Sequence, residues 1–520
     1  MNTRNTIVVD GNSMTIKNFC RLASGDADFR IEKSALRRVA ECHGFLERFS
    51  SRKLIYGIST GFGPMAQYRI DETDRIDLQY NIIRSHSAGL GDYLPPDKAR
   101  AVLFNLLNAM LRGFSGVAPA LIRVVEATLR ADILPCIPMH GGVGASGDLV
   151  QMAHVALCLI GEGEAMCEGA VAPAAELFRR KGVEPLRISL REGIAVMNGT
   201  TAMTALAALN LRGAQIALEW SLALSACLNE TVASYDDHYS PGLNRVRRQS
   251  GQQVVARAMG AMLKDSERIR SRAKLYENGT EEPDVAGRIA HKVQPYYSLR
   301  CVPQILGPIY ETLDFSCRIV ENELNSVTDN PVIDAAECNV YHGGNFHGDY
   351  ISLEMDKLKL AMTRLGMMSE RQFNYLMNPA ENECLPPFLN RGKPGLNFGF
   401  QGAGFTATST AAENQALAAS HYIHSIPNNN DNQDIVSMGF NAAVAAGKTV
   451  DNVFEILAIQ AAALIQAIDI LGCRTQLSSR SRTIHAELRA VFAELKNDRP
   501  TRKELEGVRE YLRTNPLNLL

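Results

Sequence analysis

The sequence predicts a mainly α-helical protein whose long central helices form a bundle and carry function on their connecting loops. Runs with apolar residues at helical spacing occupy most of the 520 residues, and this spacing is the primary sequence signal of a helix. Connections rich in glycine, asparagine and proline separate the runs. Strand-like segments are short and do not alternate with helices, so a doubly wound α/β fold is not expected.

Five runs predict the principal helices. The first, DKARAVLFNLLNAMLRGFSG, begins with the acidic residue Asp97 and ends near Gly113. The second, TTAMTALAALNLRGAQIALEWSLALSACLNETVASY, is apolar on nearly all faces and is interrupted only by Gly213, so we expect it inside a bundle. The others are ISLEMDKLKLAMTRLGMMSERQFNYLM, TVDNVFEILAIQAAALIQAIDILGCR and RKELEGVREYLRT.

The connections between these helices are the expected location of the chemistry, because binding and catalytic residues concentrate on loops. The connections span residues 57–64, 140–148, 340–350, 384–405 and 425–434. One segment, APAAELFRRKGVEPLRIS, predicts a short peripheral strand. Three consecutive regions are expected: 1–205 with the loop that carries the chemistry, 206–475 with the central helix bundle and further site loops, and 476–520 as a C-terminal helical segment.

Composition excludes several classes of partner. The formal net charge is −2 and aromatic residues are 7%, so neither nucleic acid nor an anionic membrane surface is expected. The most apolar run is broken by Glu455 and Asp469, which indicates a buried helix rather than a membrane span. The 11 cysteines form no C-x-x-C pair, and the first residues lack the pattern of a secretory signal. The expected compartment is the cytoplasm.

The stretch HGGVGASGDL matches the dinucleotide fingerprint G-x-G-x-x-G at Gly142, Gly144 and Gly147. That fingerprint requires a preceding strand, a following helix and an acidic residue at the tip of a second parallel strand. Pro135 and Pro138 precede the stretch, and proline is excluded from central strands. The chain also lacks alternating strands and helices. A nucleotide site is therefore not expected here.

The tripeptide Ala145-Ser146-Gly147 offers a different chemistry. In a tightly bent loop, the amide nitrogen of Gly147 can approach the carbonyl carbon of Ala145, and glycine makes that compression least costly. Gly142 and Gly144 are expected to allow the bend. Ring closure with loss of two water molecules would give an imidazolone with a methylidene group built from Ser146. An isolated A-S-G tripeptide is more commonly an ordinary glycine turn.

Eight motifs in order resemble the family of aromatic amino acid ammonia-lyases and aminomutases. The motifs are YGISTGFGP, LQYNIIRSHSAGLG, GGVGASGDL, MNGT, VQPYYSLRCVPQ, DNPVI, GGNFHGD and NNNDNQDIVSMG. They cover roughly residues 50–475, and within the family the chain looks most like bacterial tyrosine ammonia-lyases. The resemblance implies the self-made cofactor 4-methylideneimidazol-5-one (MIO), formed from Ala145-Ser146-Gly147 with no external cofactor.

The resemblance also implies roles for individual residues. Tyr56 corresponds to the base that removes the β-proton of the substrate, and its phenol pKa near 10 must be lowered by a nearby electrophile or cation. Asn198 and Gln294 correspond to amides near the prosthetic group and the substrate, and Tyr297 to the tyrosine near the methylidene. Arg300 suits a substrate carboxylate, because its planar fork binds two oxygens at once.

The remaining positions that the resemblance places around the substrate are Gly63, His86, Phe346, Asn429 and Gln433. Phe346 would wall off the site and hold the substrate ring. His342 and His347 have no third ligand at suitable spacing, so they are interpreted as hydrogen-bonded loop histidines and no metal is expected.

Two positions bear on the substrate. Relatives that act on histidine carry Glu where this chain has Gln433, so Gln433 argues against histidine. His86 could hydrogen-bond a phenol hydroxyl, which favours tyrosine over phenylalanine, since a site built for a hydroxyl penalises an analogue without one. A Ser-His pair occurs here in histidine enzymes and tyrosine aminomutases as well, so His86 alone does not decide.

The leading hypothesis is therefore a tyrosine ammonia-lyase that forms 4-coumarate and ammonia. Histidine or phenylalanine ammonia-lyase and tyrosine 2,3-aminomutase remain open alternatives, as does a non-enzymatic protein on the same scaffold. The resemblance implies a homotetramer in which each active site draws loops from three subunits. The apolar central helices agree with this, because a monomer would expose them.

Overall fold

The computed structural model describes residues 6–51, 53–277 and 293–520. Most of these residues are helical, which confirms the predicted mainly α-helical class. The helices are α1 (Ile16–Ala23), α2 (Lys33–Ser50), α3 (Arg75–His86), α4 (Pro96–Met110), α5 (Pro119–Arg130), α6 (Leu149–Leu159), α7 (Ala174–Lys181), α8 (Glu192–Met197), α9 (Thr201–Thr231), α10 (Pro241–Arg245), α11 (Ser250–Met262), α12 (Arg272–Glu277), α13 (Tyr297–Arg300), α14 (Val302–Leu324), α15 (Asp349–Met377), α16 (Pro379–Asn382), α17 (Gln401–Leu417), α18 (Gly439–Leu471), α19 (Ser479–Val491) and α20 (Arg502–Thr514).

The strands are short and form four small sheets within the described residues. They are β1 (Thr6–Val9), β2 (Asp28–Ile31), β3 (Leu90–Tyr93), β4 (Leu134–Pro135), β5 (Pro138–His140), β6 (Glu164–Cys167), β7 (Ala170–Pro173), β8 (Val332–Asp334) and β9 (Asn339–Tyr341). Strands β1 and β2 pair in parallel, whereas the sheets β3-β5, β4-β6-β7 and β8-β9 are antiparallel.

The predicted long helices are present. The run that opens at Asp97 is α4, the runs from 200, 351 and 449 lie in α9, α15 and α18, and the last run is α20. Helix α9 continues through Gly213, and α18 begins ten residues before the predicted run, at Gly439. In both helices tertiary burial outweighs the low helix propensity of glycine.

Two predictions of local structure were wrong. The segment predicted as a peripheral strand contains only the end of β7, followed by α7, which ends at Gly182 in the left-handed conformation (φ 68°). Its residues Leu177 and Phe178 are buried on one face, which is a helical pattern. Residues 384–405 are not all loop, since α17 begins at Gln401.

The described chain forms two compact units, each built from separate segments. The first unit comprises residues 1–212, 316–356 and 420–447, and the second comprises 213–315, 357–419 and 448–520. The grouping follows contacts rather than chain order, and the predicted division into three consecutive regions stays a prediction.

In the first unit, three helices place the ends of three predicted site loops. Helices α3, α6 and α8 pack against one another. His86 is the last residue of α3, the tripeptide Ala145-Ser146-Gly147 lies just before α6, and Asn198 follows α8. The packing of the three helices therefore brings the three loop ends into one region.

A fully buried glutamine links these helices to the loop that carries Tyr56. The Nε2 of Gln79 in α3 donates to the carbonyl of Gly57 at 2.8 Å, and its Oε1 accepts the N–H of Ile194 in α8 at 3.1 Å. Buried amides are stable only when they are hydrogen-bonded in this way. Gln79 therefore holds the Tyr56 loop against the packed helices.

Helix α18 is the one helix among the described residues that is long and apolar enough to cross a membrane by length and composition. Its most apolar window is 83% buried inside the structure. This burial agrees with the buried helix that the sequence predicts for this run.

A buried ion pair explains the motif DNPVI. The guanidinium of Arg191 binds both carboxylate oxygens of Asp329 at 2.7 and 3.0 Å, and it also donates to the carbonyls of Ser115 and Asn330. Neither side chain of the pair is more than 3% exposed. Such a pair is stable only with its remaining donors satisfied, as they largely are here.

Breaking this buried ion pair should lower the free energy of unfolding much more than breaking an ion pair on the surface. We expect Asp329→Ala to destabilise the fold by about 3–5 kcal/mol, because it leaves the charge of Arg191 buried without a counter-charge. Glu506→Ala breaks the exposed ion pair with Arg502 and should cost less than about 1 kcal/mol. Chemical denaturation of both variants measures the difference, and equal losses would contradict the assignment.

Candidate active site

The loop from 140 to 148 bends through three glycines with positive φ. These are Gly141 (137°), Gly144 (79°) and Gly147 (67°), a region that L side chains rarely adopt. The prediction that Gly144 allows the bend agrees with these angles, whereas for Gly142 it stays a prediction. Gly142 does not have a positive φ. A Cβ at this position would lie 2.6 Å from Oε1 of Gln151, which leaves little room for a side chain.

A short strand, β5, precedes this loop, but it belongs to a two-stranded sheet and is not the central strand that Pro135 and Pro138 argued against. Pro138 opens β5, a position at which proline is tolerated. Strand β5 pairs only with β3 and is antiparallel to it. The parallel strand order of a dinucleotide-binding unit is therefore not present at this loop.

The backbone of Gly147 packs directly on the backbone of Gly199. The two residues form a parallel bridge, and the N–H of Asp148 donates to the carbonyl of Gly199 at 2.9 Å. A Cβ at position 147 would lie 1.8 Å from that carbonyl oxygen. Only glycine fits at 147. The Gly199 backbone thus forms a cradle for the Gly147 end of the A-S-G tripeptide, with no room for a side chain at position 147.

Two predicted amides contact Ser146. The Nδ2 of Asn198 lies 3.5 Å from the carbonyl oxygen of Ser146, and the Nε2 of Gln433 donates to its hydroxyl at 2.9 Å. The Oδ1 of Asn198 is buried and has no hydrogen-bond partner among the described residues. The structure therefore brings together three residues that the sequence separates by up to 287 positions.

The segment after Gln433 ties the tripeptide loop in place. The N–H of Met438 donates to the carbonyl of Val143 at 3.0 Å, and the carbonyl of Gly144 accepts from the Ser437 hydroxyl and the Gly348 N–H, each at 3.0 Å. Ser437 is fully buried. The sequence analysis missed Ser437, because a serine inside a loop carries no signal of a distant backbone partner.

Tyr56 lies on a turn in the same unit and is half-buried. Its hydroxyl oxygen accepts the N–H of Gly63 at 3.0 Å, and its own N–H donates to Nε2 of His342 at 3.3 Å. Burial raises the pKa of Tyr56, while the Gly63 N–H lowers it. The pKa of Tyr56 therefore lies above its usual value, whereas a base requires a lowered pKa. The hydrogen bond from the Gly63 N–H acts in the lowering direction.

Gly63 and Asn429 are neighbours. A Cβ built at Gly63, whose φ is 53°, would lie 2.7 Å from Nδ2 of Asn429. Asn429 lies in an exposed turn and is itself in the left-handed conformation, with φ 56°. Gly63 therefore joins the hydroxyl of Tyr56 on one side and contacts Asn429 on the other.

His86 is half-buried at the end of α3. Its Nδ1 lies 3.0 Å from the carbonyl of Ile82, an oxygen that only accepts hydrogen bonds, so the proton of the neutral ring resides on Nδ1. Burial lowers the pKa of His86, which favours the neutral ring. The unprotonated Nε2 is then a hydrogen-bond acceptor.

Phe346 is half-buried in the loop before α15. The neighbouring His347 places Nε2 3.2 Å from the carbonyl of Ile435. With the contact between His342 and Tyr56, both histidines make the loop hydrogen bonds that the sequence analysis expected. The described residues contain no group of three or more potential metal ligands.

The other predicted residues, Gln294, Tyr297 and Arg300, belong to the second unit and lie at or just before α13. They line one cavity of about 630 Å³. The guanidinium of Arg300 stacks on the ring of Tyr297, 4.5 Å from its centroid. Its Nε is buried without a hydrogen-bond partner, and no carboxylate in the described part of the chain pairs with it.

Asp148 is a further residue that the sequence analysis missed. It is fully buried, and its Oδ2 accepts the N–H of Met203 in the first turn of α9 at 2.8 Å. Within the part of the chain that the structure describes, its Oδ1 has no hydrogen-bond partner. Burial raises its pKa to about 7, against the hydrogen bonds from Met203 and Ala202. An aspartate before a helix predicts a cap of that helix, but Asp148 makes no such bond to α6 and instead contacts α9.

The raised pKa predicts a pH-dependent stability. Between roughly pH 4 and pH 7 the folded chain binds a proton at Asp148 that the unfolded chain has lost, so this residue makes stability fall as the pH rises. Asp148→Asn cannot titrate, and we expect its gain in apparent Tm over the native chain to be larger at about pH 8 than at about pH 5.5. Exposed Asp97→Asn is the matched control. A constant difference between the two pH values would contradict the assignment.

Comparisons with known proteins agree with these features. The model of the family described as aromatic amino acid lyase matches residues 14–490. The chain is 38% identical to a tyrosine 2,3-aminomutase of Myxococcus sp. (strain Mx-B0), with 94% of each chain covered. It is 37% identical to a tyrosine ammonia-lyase of Cupriavidus metallidurans, with 98% of this chain and 96% of the relative covered.

A solved structure has the same fold. The crystal structure of a tyrosine aminomutase from Streptomyces globisporus superposes with a TM-score of 0.93 at 33% identity, and the match covers 98% of this chain and 97% of that one. The family match, the sequence relatives and the fold lead to one conclusion. The chain belongs to the aromatic amino acid lyase family and is an aromatic amino acid ammonia-lyase or aminomutase.

Proposed function

We propose that the protein is an MIO-dependent tyrosine ammonia-lyase that eliminates ammonia from L-tyrosine and releases 4-coumarate. The observation that carries the proposal is the environment of Ser146, whose carbonyl faces Asn198 and whose hydroxyl binds Gln433. The proposed site residues are those predicted from the sequence, and the proposed compartment is the cytoplasm.

The residues present fit a prosthetic group made from Ala145, Ser146 and Gly147. Gly147 lies in a cradle that a Cβ would fill, and the buried Oδ1 of Asn198 beside the loop lacks a partner in the described part of the chain. No external cofactor is required. The methylidene group, when formed, supplies an electrophile that makes the amine of the substrate a better leaving group.

Tyr56 is the proposed base for the β-proton. The N–H of Gly63 donates to its hydroxyl oxygen, and a hydrogen bond to that oxygen favours the phenolate. The opposing effect of burial requires a further positive or electrophilic group near Tyr56 when the site is complete. Asn429 next to Gly63 is proposed to line the same part of the site.

His86 supports tyrosine as the substrate. Its Nδ1 is occupied by the carbonyl of Ile82, so its neutral Nε2 is free to accept a hydrogen bond from a phenol hydroxyl. Phenylalanine offers no such donor and would leave this acceptor unpaired. Gln433 argues against histidine, since the neutral amide does not offer the carboxylate that histidine-specific relatives place at this position.

Arg300 is the proposed ligand of the substrate carboxylate. Its guanidinium has no carboxylate partner among the described residues and faces a cavity that Gln294 and Tyr297 also line. A planar guanidinium binds a carboxylate through two parallel hydrogen bonds. Phe346 is proposed to hold the substrate ring. As the family resemblance implies, we expect a homotetramer whose active sites draw loops from three subunits.

A tyrosine 2,3-aminomutase is the second candidate. A relative of that name from Myxococcus is 38% identical to this chain, against 37% for the tyrosine ammonia-lyase of Cupriavidus. The two activities share the elimination step and differ in whether ammonia is added again at the β-carbon. Product analysis separates them, because β-tyrosine and 4-coumarate differ in chromatographic retention and in near-ultraviolet absorbance.

The proposal predicts that Ser146 is essential. We expect Ser146→Ala to lose both the absorbance of the prosthetic group and all turnover of tyrosine, because alanine has no hydroxyl to eliminate. Exposed Ser479→Ala, at the start of α19, is the matched control and should retain both signals. Full activity of the Ser146 variant would refute the proposal.

The role of His86 predicts a change in specificity. The native protein should act on tyrosine in preference to phenylalanine and histidine when each is supplied separately. In His86→Leu we expect kcat/KM for tyrosine to fall by roughly ten- to a hundred-fold, or about 1.4–2.7 kcal/mol, because a buried polar group without its partner costs about 1–3 kcal/mol. The value for phenylalanine should stay within a few-fold or rise. Equal losses for both substrates would contradict a hydroxyl-binding role.

A further inference from the structure

Gln433 contacts the side-chain oxygen of Ser146, the atom that must leave if the prosthetic group is to form. Its Nε2 lies 2.9 Å from Oγ of Ser146, and this nitrogen can only donate, so the serine hydroxyl oxygen is the acceptor. The contact is partly buried and joins positions 287 residues apart. A donor on Oγ stabilises negative charge on that oxygen.

The backbone of Gln433 is fixed by a tight hairpin. Asn428 and Gln433 exchange backbone hydrogen bonds of 3.0 and 3.1 Å, and the turn between them passes through Asn429, Asn430 and Asp431, all left-handed with φ between 52° and 58°. Asn and Asp are the residues other than glycine that tolerate this conformation best. The side chain of Gln433 therefore projects from a backbone that two hydrogen bonds hold.

The same segment is also held against the tripeptide loop. Ser437 and Met438 bond the carbonyls of Gly144 and Val143, which precede Ala145 by one and two residues. Gln433 lies four and five residues before these contacts. Two fixed points thus set the register between the amide of Gln433 and the hydroxyl of Ser146.

We propose that Gln433 is a positioning residue for formation of the prosthetic group, in which its amide holds the Ser146 hydroxyl and stabilises it as a leaving group. This inference rests on the proposed function. After ring closure, the Cβ–Oγ bond of Ser146 breaks, the Cα hydrogen is lost to solvent as a proton, and Oγ gains a proton and leaves as water. A Cα=Cβ double bond remains, and no oxidant or reductant is needed.

Three variants test the role of the donor. Gln433→Met keeps the length of the side chain without any donor, and Gln433→Leu removes the amide and leaves a shorter apolar side chain. Asn432→Ala, in the same hairpin but exposed, is the matched control. The readout is the intact mass of folded full-length chains collected at intervals after the start of expression, because completed maturation lowers the mass by two water molecules. Thermal melting and size-exclusion elution identify the folded fraction.

We expect the folded Gln433→Met and Gln433→Leu chains to mature on the order of a hundred- to a thousand-fold more slowly than the native chain, as for the loss of one preorganised donor. Chains that have lost one water but not the second should accumulate, and Asn432→Ala should mature at the native rate. Native maturation in both Gln433 variants, with or without loss of turnover, would overturn the inference. Absence of any mass loss in the native chain would instead refute the proposed function.

Discussion

The close approach of Gly147 to Gly199 is the constraint on which the rest of the site depends. Two backbones meet where a single methyl group would lie 1.8 Å from a carbonyl oxygen. At this distance the chain has no freedom at position 147, and glycine is the one residue that the geometry accepts. Because Gly199 follows Asn198 directly, the same contact sets the distance between the Asn198 amide and the carbonyl of Ser146.

The surrounding structure supports this contact from several sides. Helices α3, α6 and α8 pack together, and Gln79 between them carries one hydrogen bond to the Tyr56 loop and one to α8. Asp148 directly follows the tripeptide and binds the first turn of α9. This contact requires its carboxyl group to be fully buried. Buried polar residues of this kind are retained because they specify one arrangement of the backbone. Tyr56, Ser146 and Asn198 are therefore positioned by side chains that do not react.

Sequence patterns predicted the helices well and the site residues by type, but not the contacts between them. Helical periodicity located α4, α9, α15, α18 and α20, because it reports which face of a segment is buried. Sequence patterns did not predict the contacts of Asp148, Ser437 and Gln79. Each of these residues bonds to a partner on a distant segment, and such a bond leaves no local pattern. The failed strand at 172–189 had the opposite cause, because its one buried face was not recognised as helical. Gln433 was predicted as a substrate residue, and its bond to Ser146 became visible only in three dimensions.

The separation of 287 residues between Ser146 and Gln433 has a consequence for the timing of events in the cell. A ribosome that has just released the tripeptide has not yet made the segment that contacts it. The loop therefore acquires its cradle and its hydrogen-bond donor only after nearly the whole chain has been synthesised and folded. Under the proposed function, a truncated or misfolded chain would retain an ordinary serine, and the electrophile would form only in molecules that have already reached the native structure.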